Sequence, residues 1–323
     1  MRLTAFLLAL ALSASLVSTA QAPLRLPAGT HAIPFEWLTA NTPAGPEPHA
    51  ALLLPVSLPG CAERLYLQFD LGAPYTLLYT DAVAAVRARY PGSLPGADSA
   101  GRLRDVAFRL GGVTVDAAYI TLKQYDTSGT GTGPRIIGTA GSDLIAGRIV
   151  AIDYPGRRLV FSDSLPASVA AARMEPLVWA AGNVLLPAEV QGTRTMLFFD
   201  TGSSAFPLLT DSTQAAAMAV PGAKTVSYPV RSWSRTLTAH RTASADSIGV
   251  AGQRLALGTV TWMGGVPAAQ AEGMRRMGIG GMTGNALFAG SVLLLDLKEK
   301  KFAVLPAGAL GEAKKWGNSK VGR

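Results

Sequence analysis

The stretch of sequence that decides the fold is a short polar motif at the end of an apolar run, Phe199-Asp200-Thr201-Gly202-Ser203-Ser204-Ala205-Phe206-Pro207-Leu208-Leu209-Thr210-Asp211. A weaker copy stands earlier in the chain, Phe69-Asp70-Leu71-Gly72-Ala73-Pro74-Tyr75-Thr76-Leu77-Leu78-Tyr79-Thr80-Asp81. The two copies align without gaps, and Phe, Asp, Gly, Leu, Thr and Asp recur at matching positions. An apolar segment that ends in Asp-x-Gly therefore occurs twice in one chain.

The similarity between the two halves extends well beyond these copies. Upstream, segment 53–60 matches 185–192, and downstream, 141–153 matches 284–296. Each half predicts a hairpin, an apolar strand that runs into the Asp (65–69 and 196–199), and then a short helix (82–89 and 212–219). Thr80-Asp81 and Thr210-Asp211 are predicted to cap these helices. A repeat of about 130 residues, the offset between Asp70 and Asp200, is too long for a solenoid unit, so it indicates a duplicated domain.

The ends of the chain differ in character from these repeats. Residues 1–20 resemble a signal peptide, because Arg2 gives a positive start, 3–17 are largely apolar, and Ser18-Thr19-Ala20 offers small residues for cleavage. The predicted lobes are 28–165, with the Asp70 loop, and 173–307, with the Asp200 loop. Residues 308–323 are predicted to form a basic, flexible tail. No membrane span is expected, and we expect the protein to be exported, periplasmic or secreted.

Composition argues against several other kinds of site. The net charge is +8, but Lys and Arg form no stripe interleaved with aromatic residues, so no nucleic-acid partner is expected. His31, His49 and His240 have no neighbouring ligands at metal-binding spacing, and neither a metal nor a cofactor is expected. Cys61 is the single cysteine, which excludes an internal disulfide and predicts a half-buried thiol at a hairpin turn.

Taken together, these residues resemble the pepsin-like, retropepsin-related aspartic peptidase superfamily in its bacterial single-chain, two-lobe form. The resemblance covers about 50–305 and rests on three elements in each half. These are the Asp-x-Gly loop, an apolar segment with glycine (136–138 and 279–281), and the Gly-to-Asp closing strand. It implies an all-β fold of two homologous six-stranded psi-loop β-barrels with a few short helices. A cleft would lie between the barrels, and each barrel would supply one Asp.

The resemblance also implies an activity, peptide hydrolysis by Asp70 and Asp200 without a covalent intermediate. Two carboxylates about 3 Å apart cannot both ionise, so they share a proton across a bridging water. Gly72, Thr201, Gly202 and Ser203 would support the two loops. The expected partner is a peptide or protein substrate in the cleft between the lobes, and a monomer is expected because both half-sites lie in one chain.

Two departures from the family pattern leave a second interpretation open. Leu71 and Ala73 stand where the family has hydroxyl residues, so the first loop loses two hydrogen bonds that Thr201 and Ser203 keep in the second. The alternative function is therefore a pepsin-like pseudo-enzyme that binds peptides or proteins in the cell envelope. A covering hairpin is predicted within 91–101, after Tyr90. Asp153 and Asp296 end strands and are predicted to be structural.

Overall fold

The computed structural model describes residues 24–125, 133–166, 168–232, 235–266 and 268–311. The predicted signal peptide and most of the predicted basic tail lie outside these ranges. Within them, no helix is both long and apolar enough to cross a lipid bilayer.

Strands make up most of the regular secondary structure of the described chain. In chain order they are β1 (His31–Pro34), β2 (Glu36–Thr42), β3 (Gly45–Ser57), β4 (Leu65–Phe69), β5 (Leu77–Tyr79), β6 (Arg102–Leu110), β7 (Val113–Lys123), β8 (Arg135–Ala140), β9 (Ile149–Asp153), β10 (Arg158–Ser162), β11 (Glu175–Pro176), β12 (Val178–Ala180), β13 (Asn183–Val190), β14 (Thr193–Phe199), β15 (Leu209–Thr210), β16 (Val226–Ser232), β17 (Arg235–Val250), β18 (Gln253–Gly264), β19 (Ile279–Thr283), β20 (Ser291–Asp296) and β21 (Lys301–Pro306). The α-helices are α1 (Thr80–Arg89), α2 (Ser212–Met218) and α3 (Ala268–Arg276), and short 3-10 helices span Ser142–Leu144, Thr201–Ser203 and Asn285–Phe288.

The first lobe is a seven-stranded sheet in the order β2-β3-β4-β8-β5-β7-β6. Strand β8 lies between β4, to which it is parallel, and β5, to which it is antiparallel. Strand β6 pairs back onto β3 through Val56 and Leu110, which closes six of the strands into a barrel. All of β4 is buried, because the strand has the barrel core on one face and further packing on the other.

The second lobe repeats this topology with its own strands. Its eight-stranded sheet has the order β12-β13-β14-β19-β15-β18-β17-β16, and β13 pairs with β17 to close the same six-stranded ring. Gly138 and Gly281 occupy equivalent places in the two lobes. A Cβ on either glycine would collide with the backbone of the neighbouring strand, at Leu77 or Leu209. The all-β, two-lobe fold that the resemblance implies is therefore confirmed.

A third sheet joins the lobes. It has six strands in the order β1-β10-β9-β20-β21-β11, and the closing strands β9 and β20 pair antiparallel at its centre. Both are apolar and almost completely buried, as expected for strands covered on two faces. The largest cluster of buried apolar side chains contains residues of both lobes, including Phe69, Phe199 and Phe288.

The predicted helix caps are correct in one lobe and wrong in the other. Asp211 caps α2 by accepting hydrogen bonds from the N–H groups of Thr213 and Gln214. Helix α1 instead begins at Thr80, after Tyr79, which makes no side-chain cap. Asp81 lies inside the first turn of α1, where its carboxylate accepts a hydrogen bond from Gln124. Cys61 is half-buried beside a turn, as predicted.

One strand breaks the symmetry between the lobes. In the second lobe β16 pairs along its full length with β17, from Val226 with Arg241 to Ser232 with Arg235. In the first lobe the corresponding stretch, 90–101, forms turns with a single bridge between Ala97 and Leu103. The hairpin predicted after Tyr90 is therefore wrong, since Tyr90 only ends α1. At the equivalent point of the second lobe, the structure has a strand pair.

Candidate active site

The two Asp-x-Gly loops have the same backbone frame. Asp70 follows β4 and Asp200 follows β14. The N–H of Asp70 donates to the carbonyl of Ala140 in β8 at 3.0 Å, and the N–H of Asp200 donates to the carbonyl of Thr283 in β19 at 2.9 Å. In each loop the glycine N–H donates to its own Asp carboxylate. The distances are 2.9 Å from Gly72 to Asp70 Oδ1 and 2.8 Å from Gly202 to Asp200 Oδ1. The repeat in sequence is therefore a repeat in hydrogen bonding.

The tips of the two loops meet at the junction of the lobes. The Thr201 hydroxyl donates to the carbonyl of Phe69 at 2.9 Å and accepts from the N–H of Leu71 at 2.9 Å. Leu71 is completely buried and, lacking a hydroxyl, cannot make the reciprocal contact. Thr201 alone therefore makes the hydrogen bonds that cross between the two loops, whereas two hydroxyl side chains would share them in a symmetric pair.

The carboxyls of Asp70 and Asp200 lie side by side at this junction. A Cβ on Gly202 would overlap the carboxyl of Asp70, so the first carboxyl rests directly on the glycine of the second loop. The two carboxyls are close enough for a hydrogen bond between them. Both residues are buried, with 0% of Asp200 and 6% of Asp70 exposed.

Burial raises the pKa of both carboxyls, but by different amounts. The pKa of Asp70 is held well above its ordinary value by burial and by the neighbouring Asp200, against N–H donors from Gly72 and Ala73. Burial also raises the pKa of Asp200, but hydrogen bonds from Ser203 and Asp70 oppose it. The Ser203 hydroxyl donates to Asp200 Oδ2 at 2.8 Å, and Ala73 has no hydroxyl to do the same. The ionised form of Asp200 is therefore the better stabilised of the two carboxylates.

Behind the Asp200 loop is a buried network that the sequence did not reveal. Asn285 Nδ2 donates to the carbonyl of Thr201 at 3.1 Å and to the Ser204 hydroxyl at 2.9 Å. Its Oδ1 accepts from the hydroxyl of Tyr154, which follows β9 at the end of the first half, at 2.8 Å. The one available signal was the repeat alignment, which sets Asn285 against Ser142.

The carboxylates of Asp153 and Asp296, which are also aligned in the repeat, accept hydrogen bonds within turns. Asp153 accepts from the N–H of Gly156 and from Arg158, and Asp296 accepts from the N–H groups of Lys298 and Glu299. In the described ranges, no three or more His, Cys, Asp or Glu side chains cluster in a way that could hold a metal ion. Of the aligned carboxyls, Asp70 and Asp200 are thus the pair that meets at the lobe junction.

An ion pair beside the two carboxyls, Asp70 and Asp200 (the dyad), also connects the lobes. Arg241 of β17 donates to Glu47 of β3 at 2.7 Å, and both side chains are largely buried. The same guanidinium contacts the carbonyl of Ala205, in the Asp200 loop, at 3.5 Å. The stem of the second-lobe hairpin is therefore anchored to the first lobe next to Asp200.

Comparison with known proteins shows similarity in fold and none in sequence. No protein-family model matches the chain, and no curated protein matches it by sequence. The aspartic proteinase from Irpex lacteus matches with a TM-score of 0.50 and 12% identity, over 88% of this chain and 99% of that chain. Basic 7S globulin from soybean matches with a TM-score of 0.49 and 10% identity, over 91% and 100%. Conglutin gamma, a basic 7S globulin from lupine seeds, gives 0.49 and 9%, over 91% and 100%. The chain has a pepsin-like fold.

Proposed function

We propose that the chain is an exported aspartic endopeptidase that hydrolyses peptide bonds with a water activated between Asp70 and Asp200. The observation that carries the proposal is the meeting of the two carboxyls at the crossing of two equivalent loops, each carboxyl held by a glycine N–H. A duplicated structural frame does not need an acidic side chain at both equivalent points, since burying such groups is costly. Export rests on the signal-like sequence of residues 1–20.

The unequal surroundings of the two carboxyls assign their roles. Asp200, with hydrogen bonds from Ser203 and Gly202, is the ionised partner and takes a proton from the water as general base. Asp70 carries the shared proton, polarises the scissile carbonyl and passes the proton to the leaving amine. The substrate lies between the lobes, against the two carboxyls. One chain contains both half-sites, so a monomer suffices.

The alternative is a pseudo-enzyme with the same cleft, and one observation favours it. The Asp70 carboxyl has backbone donors only, and the crossing between the loops is made by Thr201 alone. Each missing hydroxyl removes about 0.5–1.5 kcal/mol of net hydrogen bonding. The loss loosens the first loop without removing its carboxylate, so we place hydrolysis first and peptide binding second.

The deciding experiment is digestion of a denatured protein substrate between pH 3 and pH 8, with and without pepstatin. We expect pepstatin-sensitive cleavage that Asp200→Asn and Asp70→Asn abolish. Asp211→Asn is the matched control, because Asn also caps helices well and α2 lies outside the dyad. A folded wild-type protein that cleaves nothing at any pH would refute the peptidase and favour the binding module.

A further inference from the structure

The hydroxyl of Ser203 lies between two acceptors. Its oxygen is 2.8 Å from Asp200 Oδ2 and 3.2 Å from the sulfur of Met282. All three residues are buried, so both contacts are made away from bulk solvent. A hydroxyl carries one proton and a thioether sulfur can only accept, so Asp200 and Met282 compete for the same hydrogen bond.

Met282 reaches Ser203 from β19, the strand that lies between β14 and β15 in the second lobe. It pairs with Phe198 of β14, directly before the loop that carries the dyad residue. Its side chain belongs to a cluster of buried apolar residues that also contains Phe206. The sulfur is therefore fixed by the core of the second lobe.

The first lobe differs at both positions of this contact. Ala73 is the equivalent of Ser203, and the repeat sets Thr139 of β8 against Met282. The hydroxyl of Thr139 lies 2.9 Å from the hydroxyl of Tyr79. The sulfur is therefore found beside the loop that carries a serine, whereas in the loop without one the equivalent side chain has a partner elsewhere.

We propose that Met282 is a positioning residue for the dyad, because its sulfur accepts a hydrogen bond from Ser203 when Asp200 is protonated. This inference rests on the proposed function, in which Asp200 takes a proton from the attacking water. While Asp200 is ionised, the Ser203 hydroxyl donates to Oδ2, since a carboxylate is the stronger acceptor. Once Oδ2 carries the proton from the water, that O–H donates to Ser203 Oγ. The Ser203 O–H then rotates to the sulfur, and its own proton stays on its oxygen throughout.

The sulfur therefore stabilises the protonated form of Asp200. Without it, a Ser203 hydroxyl that turns away from Oδ2 has no acceptor at this place, and an unpaired buried hydroxyl is costly. Met282→Leu should then disfavour protonation of Asp200. Activity needs ionised Asp200, so the acid limb of the profile of kcat/KM against pH should move down by about half a unit, equivalent to about 0.7 kcal/mol.

Other groups also act on the dyad, and the substitutions that probe the sulfur leave them in place. Asp70 is hydrogen-bonded to Asp200, and the two titrate as a pair. The titratable side chains on the elements packed around the two loops are Tyr79 of β5, Lys123 of β7, Glu47 of β3, Tyr228 of β16 and Arg241 of β17.

The test measures kcat/KM against pH, between about pH 2 and pH 7, for the wild-type protein, Met282→Leu and Met282→Ile. Leu has nearly the volume of Met and Ile suits a strand, so each removes the acceptor and leaves the core filled. Met263→Leu is the matched control, because Met263 of β18 packs against the same apolar cluster. Ser203→Ala, alone and combined with Met282→Leu, completes a double-mutant cycle.

A second readout does not need cleavage. NMR titration of isotopically labelled Asp carboxyls follows protonation of the dyad in the same variants. We expect the acid limb and the lower pKa of the pair to fall by about half a unit in Met282→Leu and Met282→Ile. Neither should move in Met263→Leu, and Met282→Leu should have no effect once Ser203→Ala has removed the hydroxyl.

An acid limb and a titration that stay in place in both Met282 variants overturn the inference. So does a shift of the same size in the absence of the Ser203 hydroxyl, since it would come from packing. Cleavage with an unmoved limb leaves the peptidase intact and refutes only the role of the sulfur. A shifted titration in a protein that cleaves nothing refutes the peptidase and supports the contact of Ser203 with Met282.

Discussion

At the scale of single residues, the difference between Ala73 and Ser203 is the main asymmetry of the site. Ser203 donates to its own Asp at 2.8 Å, and Ala73 occupies the equivalent place beside Asp70. In Ala73→Ser, a new hydroxyl would stabilise ionised Asp70 and lower its pKa. Because activity ends when the shared proton leaves Asp70, the alkaline limb of the pH profile should move down by about half a unit to one unit.

The measurement for Ala73→Ser is kcat/KM against pH. Ala216→Ser, on the exposed face of α2, is the control for adding a hydroxyl elsewhere. An alkaline limb that does not move would mean that Asp70 does not hold the shared proton.

Asp70 also predicts how stability depends on pH. Its pKa in the folded protein is raised above the value of about 3.9 in an unfolded chain. The stability associated with the protonated carboxyl is therefore fully present below about pH 3.9 and is lost as the pH rises through the folded value. Asp70→Asn removes this loss, so its Tm should exceed that of the wild-type protein at pH 7 by several degrees, about 2–4 °C for each kcal/mol. The excess should shrink as the pH falls towards 4.

Thermal unfolding at pH 4 and pH 7 tests this difference. Asp211→Asn provides the baseline, since Asp211 is exposed and caps α2. An Asp70→Asn protein that melts below the wild-type protein at pH 7 would show that the carboxylate stabilises the site and that its pKa is not raised.

At the scale of elements, the crossing of the two loops depends on one hydroxyl. Thr201→Val keeps the shape of the side chain but leaves the buried N–H of Leu71 without its acceptor. We expect a loss of about 1–3 kcal/mol in the free energy of unfolding, together with a lower kcat, because the two carboxyls lose their alignment.

Thr201→Ser is the matched variant for the crossing, since it keeps the hydroxyl and removes only a methyl group. Denaturant unfolding and kcat should both be close to the wild-type values in Thr201→Ser. If Thr201→Val and Thr201→Ser behave alike, packing holds the loops together and the hydrogen bonds do not.

At the scale of the whole molecule, the Glu47–Arg241 pair ties the lobes together. Both side chains are largely buried, so removing one charge leaves the other buried without an ionic partner. Glu47→Gln should therefore lower the free energy of unfolding by about 3–5 kcal/mol. The double variant Glu47→Met/Arg241→Met should recover much of that loss, because it buries no unpaired charge.

Differential scanning calorimetry on the single and double variants checks this prediction. We also expect Glu47→Gln to separate one unfolding transition into two, as the lobes lose an anchor beside Asp200. Equal destabilisation in the single and double variants would mean that the pair contributes through its packing and that its charge does not matter.

Much of the fold could be predicted from the sequence, because duplication makes a local pattern visible twice. The Asp-x-Gly copies located Asp70 and Asp200 at strand ends, and the strand predicted at 65–69 matches β4. The location of the covering hairpin was predicted wrongly. The prolines and glycines of 91–101 disfavour strands, and the structure has turns there. At the equivalent point of the second lobe, β16 pairs with β17.

The sequence by itself determined the two equivalent lobes, the Asp at the tip of each loop and the loss of two hydroxyls at Leu71 and Ala73. These features can be read from residue identities and from apolar patterns, and each of these signals lies within a few consecutive residues. Only the tertiary structure decided the single crossing by Thr201, the network of Asn285 with Tyr154, and the place of Arg231 beside Tyr125. Each of these contacts joins residues that are far apart in the chain, so it exists only once both lobes have closed and packed together.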